Sequence, residues 1–302
     1  MEDKRRLKLA LALVGQAGSR DCSGIVFLAL DGGIDCMKKF LLYCFIAASF
    51  ASCKKAFEYS PHEVRLDENE KNINEKNIAK ISLQPSSDSL KFIVIGDPQR
   101  AYDELDGFVD AVNQLNGISF VVVDGDLTDF GLNSEFKWTN KILSKLKVPS
   151  IAVIGNHDML GNGPEVYRQM YGPDNFSFSI GSNKFICLNS NSQERNYDGT
   201  LPNLPWLSNE LVESSSYDKV FVFSHIAPFS FGFDSAMEKS YASLLAQNSN
   251  VKLSIHAHID MFLHTHYYND NIDYLVVDTI RERKYVLVTV RGESYEVEEK
   301  TF

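Results

Sequence analysis

Five short apolar runs, each closed by a polar turn, constrain this chain more than any other feature of its sequence. Phe92 to Ile95 ends at Gly96, Phe120 to Val123 at Asp124-Gly125, and Ile151 to Ile154 at Gly155. Val220 to Phe223 ends at Ser224-His225, and Val251 to Ile255 at His256-Ala257-His258. Such β-branched and aromatic runs, bounded by turn residues, read as buried strands. Between the first three runs, Leu105, Phe108, Val109, Val112 and Leu115 recur at helical spacing, as do Phe136, Ile142, Leu143 and Leu146. Strand, helix, strand at this spacing predicts βαβ units. The tail has no room for helices: Ile272 to Val277, Lys284 to Val290 and Ser294 to Val297 are short strands that predict antiparallel pairing. The expectation is an α/β fold of two packed sheets with helices outside.

Composition narrows what such a fold can do. With 302 residues and 44% apolar content the chain is globular, which excludes a wholly disordered or collagen-like protein. A formal net charge of −10 lacks the basic footprint of nucleic-acid binding, so no specific nucleic-acid partner is expected. An acidic chain can still take phosphate esters where bound cations supply the positive charge. The cysteines Cys22, Cys36, Cys44, Cys53 and Cys187 form no CxxC or regular spacing, so neither a disulfide framework nor a cysteine zinc site is predicted. No apolar run of about 20 residues suggests an ordinary transmembrane helix.

The N-terminal part reads as an address. Met37-Lys38-Lys39 precedes the apolar stretch Phe40 to Ala48, and Ser49-Phe50-Ala51-Ser52 leads to Cys53. A basic start, a short apolar core and small residues before a cut site describe a signal peptide. With its cysteine the segment resembles a bacterial lipoprotein signal over 37–52, with Cys53 the lipidated first residue of an exported, membrane-anchored chain. Residues 1–36 are then an upstream extension; a signal starting at Met1 with Lys4-Arg5-Arg6 is the alternative. Residues 53–90, including DENEKNINEKNIAK, are expected to be a polar tether with a short ordered piece at Glu63 to Leu66, and 91–302 the folded domain.

The polar residues after the strands carry the chemistry. They are Asp97-Pro98-Gln99, then Gly125-Asp126-Leu127-Thr128-Asp129, then Gly155-Asn156-His157-Asp158, then His225, then His256-Ala257-His258-Ile259-Asp260. Ligands bind at the carboxyl ends of strands in α/β sheets. Over about residues 90–270 this series resembles the calcineurin-like metallophosphoesterases, whose pattern is D-x-H, GDxxD, GNH followed by D or E, a lone His, and GHxH. GDLTD and GNHD match in full. Gln99 replaces the His of the first motif. Ala257-His258-Ile259-Asp260 fills the last when aligned by strand length, with Ala for Gly and Asp for the last His; aligned by histidines, Ile255-His256-Ala257-His258 fills it, with Ile for Gly and His256 as the alternative ligand beside His258.

The resemblance implies a four-layer α-β-β-α sandwich of two mixed sheets flanked by helices. It also implies a dinuclear metal-dependent hydrolase of small phosphate esters, monoesters or diesters. Two cations about 3.5–4 Å apart can share one carboxylate. By resemblance Asp126 is that bridge, Asn156, His225 and His258 complete one site, and Asp97 anchors the other with Gln99 and Asp260. His157 is expected near the leaving oxygen or the phosphoryl oxygens, with Asp158 orienting its ring. An all-oxygen site favours Mg²⁺ or Mn²⁺, and a site with two imidazoles suits Zn²⁺ or Fe. Gln99 and the altered last motif keep a rival open: a surface lipoprotein that binds a phosphorylated ligand or Ca²⁺ without turnover.

Weaker candidates remain. His264 and His266 alternate on a strand and are expected as a solvated or hydrogen-bonded pair. Arg100 reads either as a grip for a phosphate oxygen or as a surface residue. Phe229, Phe231 and Phe233, at period two, are expected as a core-facing stripe.

Overall fold

The computed structural model describes residues 63–84 and 89–302. The upstream extension, the signal over 37–52 and Cys53 lie outside them. The first sheet has the order β11-β10-β1-β2-β3, with β1 (Ser89–Ile95), β2 (Phe120–Asp124), β3 (Ser150–Val153), β10 (Lys284–Arg291) and β11 (Ser294–Thr301). The second has the order β4-β5-β6-β7-β9-β8, with β4 (Phe176–Ile180), β5 (Asn183–Cys187), β6 (Lys219–Phe223), β7 (Val251–His256), β8 (Leu263–Thr265) and β9 (Asp273–Val276). Both are mixed. β1, β2 and β3 run parallel, and β10 lies antiparallel to β1 and to β11. β5, β6, β7 and β9 run parallel, and antiparallel β4 and β8 edge them.

Alternation along the strands makes the layers. Phe92, Val94, Phe120 and Val122 face Phe185, Phe221, Phe223 and Ile255 in the core between the sheets. Phe92 stacks on Phe120 at 5.3 Å and meets Phe185 edge-on at 5.6 Å. The intervening residues Ile93, Ile95, Val121 and Val123 pack outward in one core with Leu105, Phe108 and Val109 of α2 (Tyr102–Val112). That core also takes Phe136 of α3 (Asn133–Leu143) and Val166 of α4 (Gly163–Met170). On the other side Ile186, Val220 and Val222 pack with Leu207 and Leu211 of α5 (Leu204–Glu213) and Tyr241 and Leu245 of α6 (Ser235–Ala246). The result is the expected four-layer sandwich.

Two expectations are corrected. Part of the supposed tether is folded: α1 (Ile73–Ser82) lies within it. The Asn74 amide donates to Ala152 O and accepts from Ala152 N, both at 2.9 Å, and Asn77 Nδ2 donates to Ser150 O at 2.8 Å. These amides tie α1 to β3, while Ile81 enters the core between the sheets and Ile73 and Ile78 pack against the cores. Phe229, Phe231 and Phe233 form no stripe, because their segment is a run of turns after β6. Phe233 is in the core, Phe229 stacks on Tyr267 at 3.9 Å, and Phe231 is exposed.

Candidate metal centre

The loops after β1, β2, β3, β6 and β7 meet at one end of the sandwich. Gln99 N donates to Asp126 O at 3.0 Å, and Ala257 N to His225 O at 2.9 Å. A Cβ on Gly96 would overlap that of Ala257, so small residues are required where the two sheets touch. Asp97, Asp126 and His258 hold φ of 54°, 55° and 72°. Left-handed backbone is costly for residues other than glycine and persists where the surroundings enforce it, often at functional sites.

Glycines let the ligands approach. Gly125, at φ 89°, lies against the His225 ring, and a Cβ there would overlap it. A Cβ on Gly155 would overlap the backbone and carboxylate of Asp126. The His225 Nδ1–H donates to Asp124 O at 2.7 Å, which turns Nε2 toward Asp126 Oδ2 at 3.3 Å and Asn156 Oδ1 at 3.1 Å. His258 Nδ1 lies 3.0 Å from the same Asn156 Oδ1. The ligand atoms of Asp126, His225 and His258 all lie within 4.8 Å of one another. Lone pairs crowded in a buried space need a proton or a cation among them. Without a cation the proton falls on His225. Burial opposes its charge, but Asp126, and then Asp97, draw the imidazole up to about 10. Burial and the charge of His225 push His258 down to about 4.

The residues expected at the second site adjoin this group. Asp97 is buried, and its Oδ2 accepts the His258 N–H at 3.4 Å. Burial pushes Asp97 up to about 7, with Asp126 and Asp260 adding to the effect and His225 opposing it. Asp260 is exposed. Gln99 Oε1 is buried with no partner among the described residues. An orphaned amide oxygen near carboxylates fits a hard cation, so the residues present suit one oxygen-rich site beside one with two imidazoles.

His157 stands beside this cluster. Its backbone N–H donates to Asp126 Oδ1 at 2.9 Å, and its Nδ1 bonds Asp129 O at 2.9 Å. The ring-orienting role expected of Asp158 therefore falls to Asp129. Asp158 is fully buried and accepts N–H bonds from Leu127, Thr128 and Gly155 at 3.2, 2.9 and 2.9 Å, and the Thr128 hydroxyl at 2.7 Å. It joins the GDLTD loop to the GNHD loop. Burial, aided by the Asp126 charge and opposed by these donors, sets it at about 7.

His256, the alternative ligand, takes no part in the cluster. Its Nδ1 bonds Ser224 O at 2.7 Å and its Nε2 meets Ser254 Oγ at 2.9 Å, on the helix-covered face of β7. His258, which both alignments include, is the histidine that lies with Asp126 and His225. Arg100 pairs with Asp129 and lies 5.6 Å from the Phe130 ring. His264 and His266 both face Asp273, at 3.5 and 3.0 Å.

A sixth loop was missed. β5 ends at Cys187, and the apolar run Phe185 to Leu188 is followed by Asn189-Ser190-Asn191-Ser192, the same apolar-then-polar pattern as the other five. Asn191 Nδ2 donates to Ile154 O at 3.1 Å, and Ser190 Oγ accepts the Ile226 N–H at 2.8 Å. Further along this loop is Glu194, whose Oε2 is buried without a partner among the described residues. Burial raises its pKa, and its charge is felt with those of Asp126, His225 and His157.

The model of the calcineurin-like phosphoesterase family matches residues 90–261. The chain belongs to that family. The serine/threonine-protein phosphatase CPPED1 of Homo sapiens is 29% identical over 203 residues, covering 57% of this chain and 62% of that protein. The Rattus norvegicus protein of the same name is 35% identical over 142 residues, covering 40% and 44%. The chain thus spans less than two thirds of the length of these curated relatives. A dimetal phosphatase from Danio rerio shares the fold with a TM-score of 0.54 at 14% identity, covering 70% of this chain and 99% of that one. A purple acid phosphatase from Lupinus luteus seeds gives 0.57 at 13%, covering 72% and 52%. Membership in the calcineurin-like phosphoesterase family supports phosphoester hydrolysis, and the family is typically dimetal-dependent.

Proposed function

We propose that this chain is a dinuclear metal-dependent phosphoesterase acting on small phosphate esters, exported and held at a membrane surface by a lipid on Cys53. The observation that carries the catalytic part is the convergence of Asp126, Asn156, His225 and His258 from four strand ends. Asp97, Gln99 and Asp260 would hold the second ion, with Asp126 shared. Divalent cations, when bound, supply Lewis acidity toward the phosphoryl oxygens and the attacking water. The protein's own part is positioning. Asn156 bridges the two imidazoles, and Asp126 receives the His157 backbone N–H, which fixes His157 beside the candidate ligands. With Nδ1 held by Asp129 O, the His157 Nε2 is free to stabilise or protonate an oxygen of the substrate. The oxygen-rich site favours Mn²⁺ or Mg²⁺, and the histidine site takes Zn²⁺ or Fe as well.

The test is a panel of monoester and diester substrates assayed with Mg²⁺, Mn²⁺, Zn²⁺ and Ca²⁺, alongside bound-metal analysis. Two Mn²⁺-like ions per chain with turnover support the reading; a single tight Ca²⁺ without turnover overturns it in favour of a binding lipoprotein. Mass spectrometry of the mature protein checks the anchor: no peptide from residues 1–52 should be recovered.

A further inference from the structure

A recess of about 240 Å³ lies between α1, the end of α3 and the segment entering β3. It is at the start of β3, whereas Asn156 and His157 follow the end of that strand, so it is separate from the metal centre. Ile73, Leu143, Leu146, Val148 and Pro149 give it apolar walls. Its ionisable lining consists of Lys76, Lys80 and Lys147, with no Asp or Glu, in a chain whose net charge is −10.

The three ammonium groups are held by neutral oxygens. Lys76 Nζ donates to Glu68 O at 3.0 Å, Lys80 Nζ to Asn77 Oδ1 at 3.0 Å, and Lys147 Nζ to Asn113 O at 3.1 Å. None has a carboxylate within ion-pair distance among the described residues. The Glu68 carboxylate is engaged by Lys71 at 2.6 Å and feels the charge of Lys76 more weakly, from beyond ion-pair distance. Lys76 and Lys80 are one helical turn apart, where like charges repel. An anion between them and Lys147 removes that repulsion and receives charge-assisted hydrogen bonds. Asn69, Asn140 and Ser144 line the same recess and add polar contacts.

We infer that this recess binds a phosphate group, with the lysines on its oxygens and the apolar wall against the attached organic part. The group can come from a soluble phosphate ester or from a lipid headgroup.

Equilibrium dialysis of inorganic phosphate against the full chain, with metals chelated to silence the catalytic centre, tests this. Wild-type protein and His157→Ala are expected to bind one phosphate each. The double variant Lys76→Glu/Lys147→Glu should bind about tenfold more weakly or not at all. Lys76→Gln/Lys147→Gln, with melting temperature as a check on folding, should weaken binding in the same direction. Metal-loaded turnover of a nitrophenyl ester should be unchanged in both lysine variants. Co-sedimentation with phosphatidic acid vesicles, absent with phosphatidylcholine and lost in the variants, would assign the lipid source; phosphate binding without co-sedimentation would assign the soluble one. Absence of metal-independent phosphate binding up to about 10 mM, or binding that survives both lysine variants, overturns the inference.

Discussion

In the first sheet, the loops after β2 and β3 are tied directly to each other. Asp158 gathers the N–H groups of Leu127, Thr128 and Gly155, and Asp126 takes that of His157. The ligands of the second sheet are held differently. The side chain of His225 is held by the carbonyl of Asp124, and His258 by Asn156 and Asp97 of the first-sheet loops as well as by the Phe231 backbone, while Ala257 N–H joins the two second-sheet loops at His225 O. Asp260, at the far end of that loop, is exposed. The first-sheet loops are braced by side-chain carboxylates of their own, and the second-sheet loops, joined by backbone bonds, also lean on them. The difference matches the sequence: GDLTD and GNHD are complete, while the last motif carries Ala for Gly and Asp for His. A loop positioned from outside tolerates such changes better than one whose own hydrogen bonds set its shape.

The strongest way to break the comparison is Gly155→Ala. The new methyl has no room beside Asp126, and overpacking of this kind costs about 1–3 kcal/mol or more. Metal content and hydrolysis should both vanish, and urea denaturation should show the lost stability. If the variant keeps its metals, the frame is softer than its hydrogen bonds imply.

Asp126→Asn comes next. It is close to isosteric, so the fold should survive while bound metal and nearly all turnover disappear, as metal analysis and a phosphatase assay would report. Unchanged turnover would mean that Asp126 is not the shared ligand.

His157→Ala separates chemistry from ligation. Positioned acid–base groups contribute about 10²–10⁴-fold in rate. A kcat loss of that size is expected with near-normal metal content, and it should be smaller for an activated nitrophenyl ester than for an alkyl ester. His258→Ala should instead lose metal first. Equal metal loss in the two variants would make His157 a ligand.

The smallest effect is expected at Asp260. Asp260→Ala should weaken only the oxygen-rich site, about 10–100-fold in metal affinity, and leave the histidine site loaded. Loss of both ions would show that the second-sheet loop supports the frame after all.

Much of this was legible beforehand. Every strand that closes in a complete motif was identified, because a buried parallel strand leaves a plain apolar run. Between the two alignments of the last motif, 257–260 keeps a small residue, Ala257, at the tight turn and five strand residues before it. What escaped notice depends on contacts between distant segments. DENEKNINEKNIAK has the composition of a disordered tract, yet Asn74 and Asn77 find backbone partners on β3 that no local pattern announces. Asp158 is adjacent to His157 in the chain but turns to the GDLTD loop, while Asp129 supplies the carbonyl for the ring. The Phe229-Phe231-Phe233 spacing imitates a strand, but the turns break the alternation it needs.

The amides of Asn74 and Asn77 also bear on how the protein behaves in solution. β3 is the last strand of its sheet, and an open strand border is a template for pairing with another chain. Asn74 occupies both the donor and the acceptor of Ala152, as a neighbouring strand would. The opposite border, β11, carries charge instead: Glu296, Glu298, Glu299 and Lys300. A chain shortened to begin at Ser89 keeps every candidate metal ligand but bares the β3 border. It should retain its activity when freshly prepared and self-associate on standing, a change that light scattering would follow.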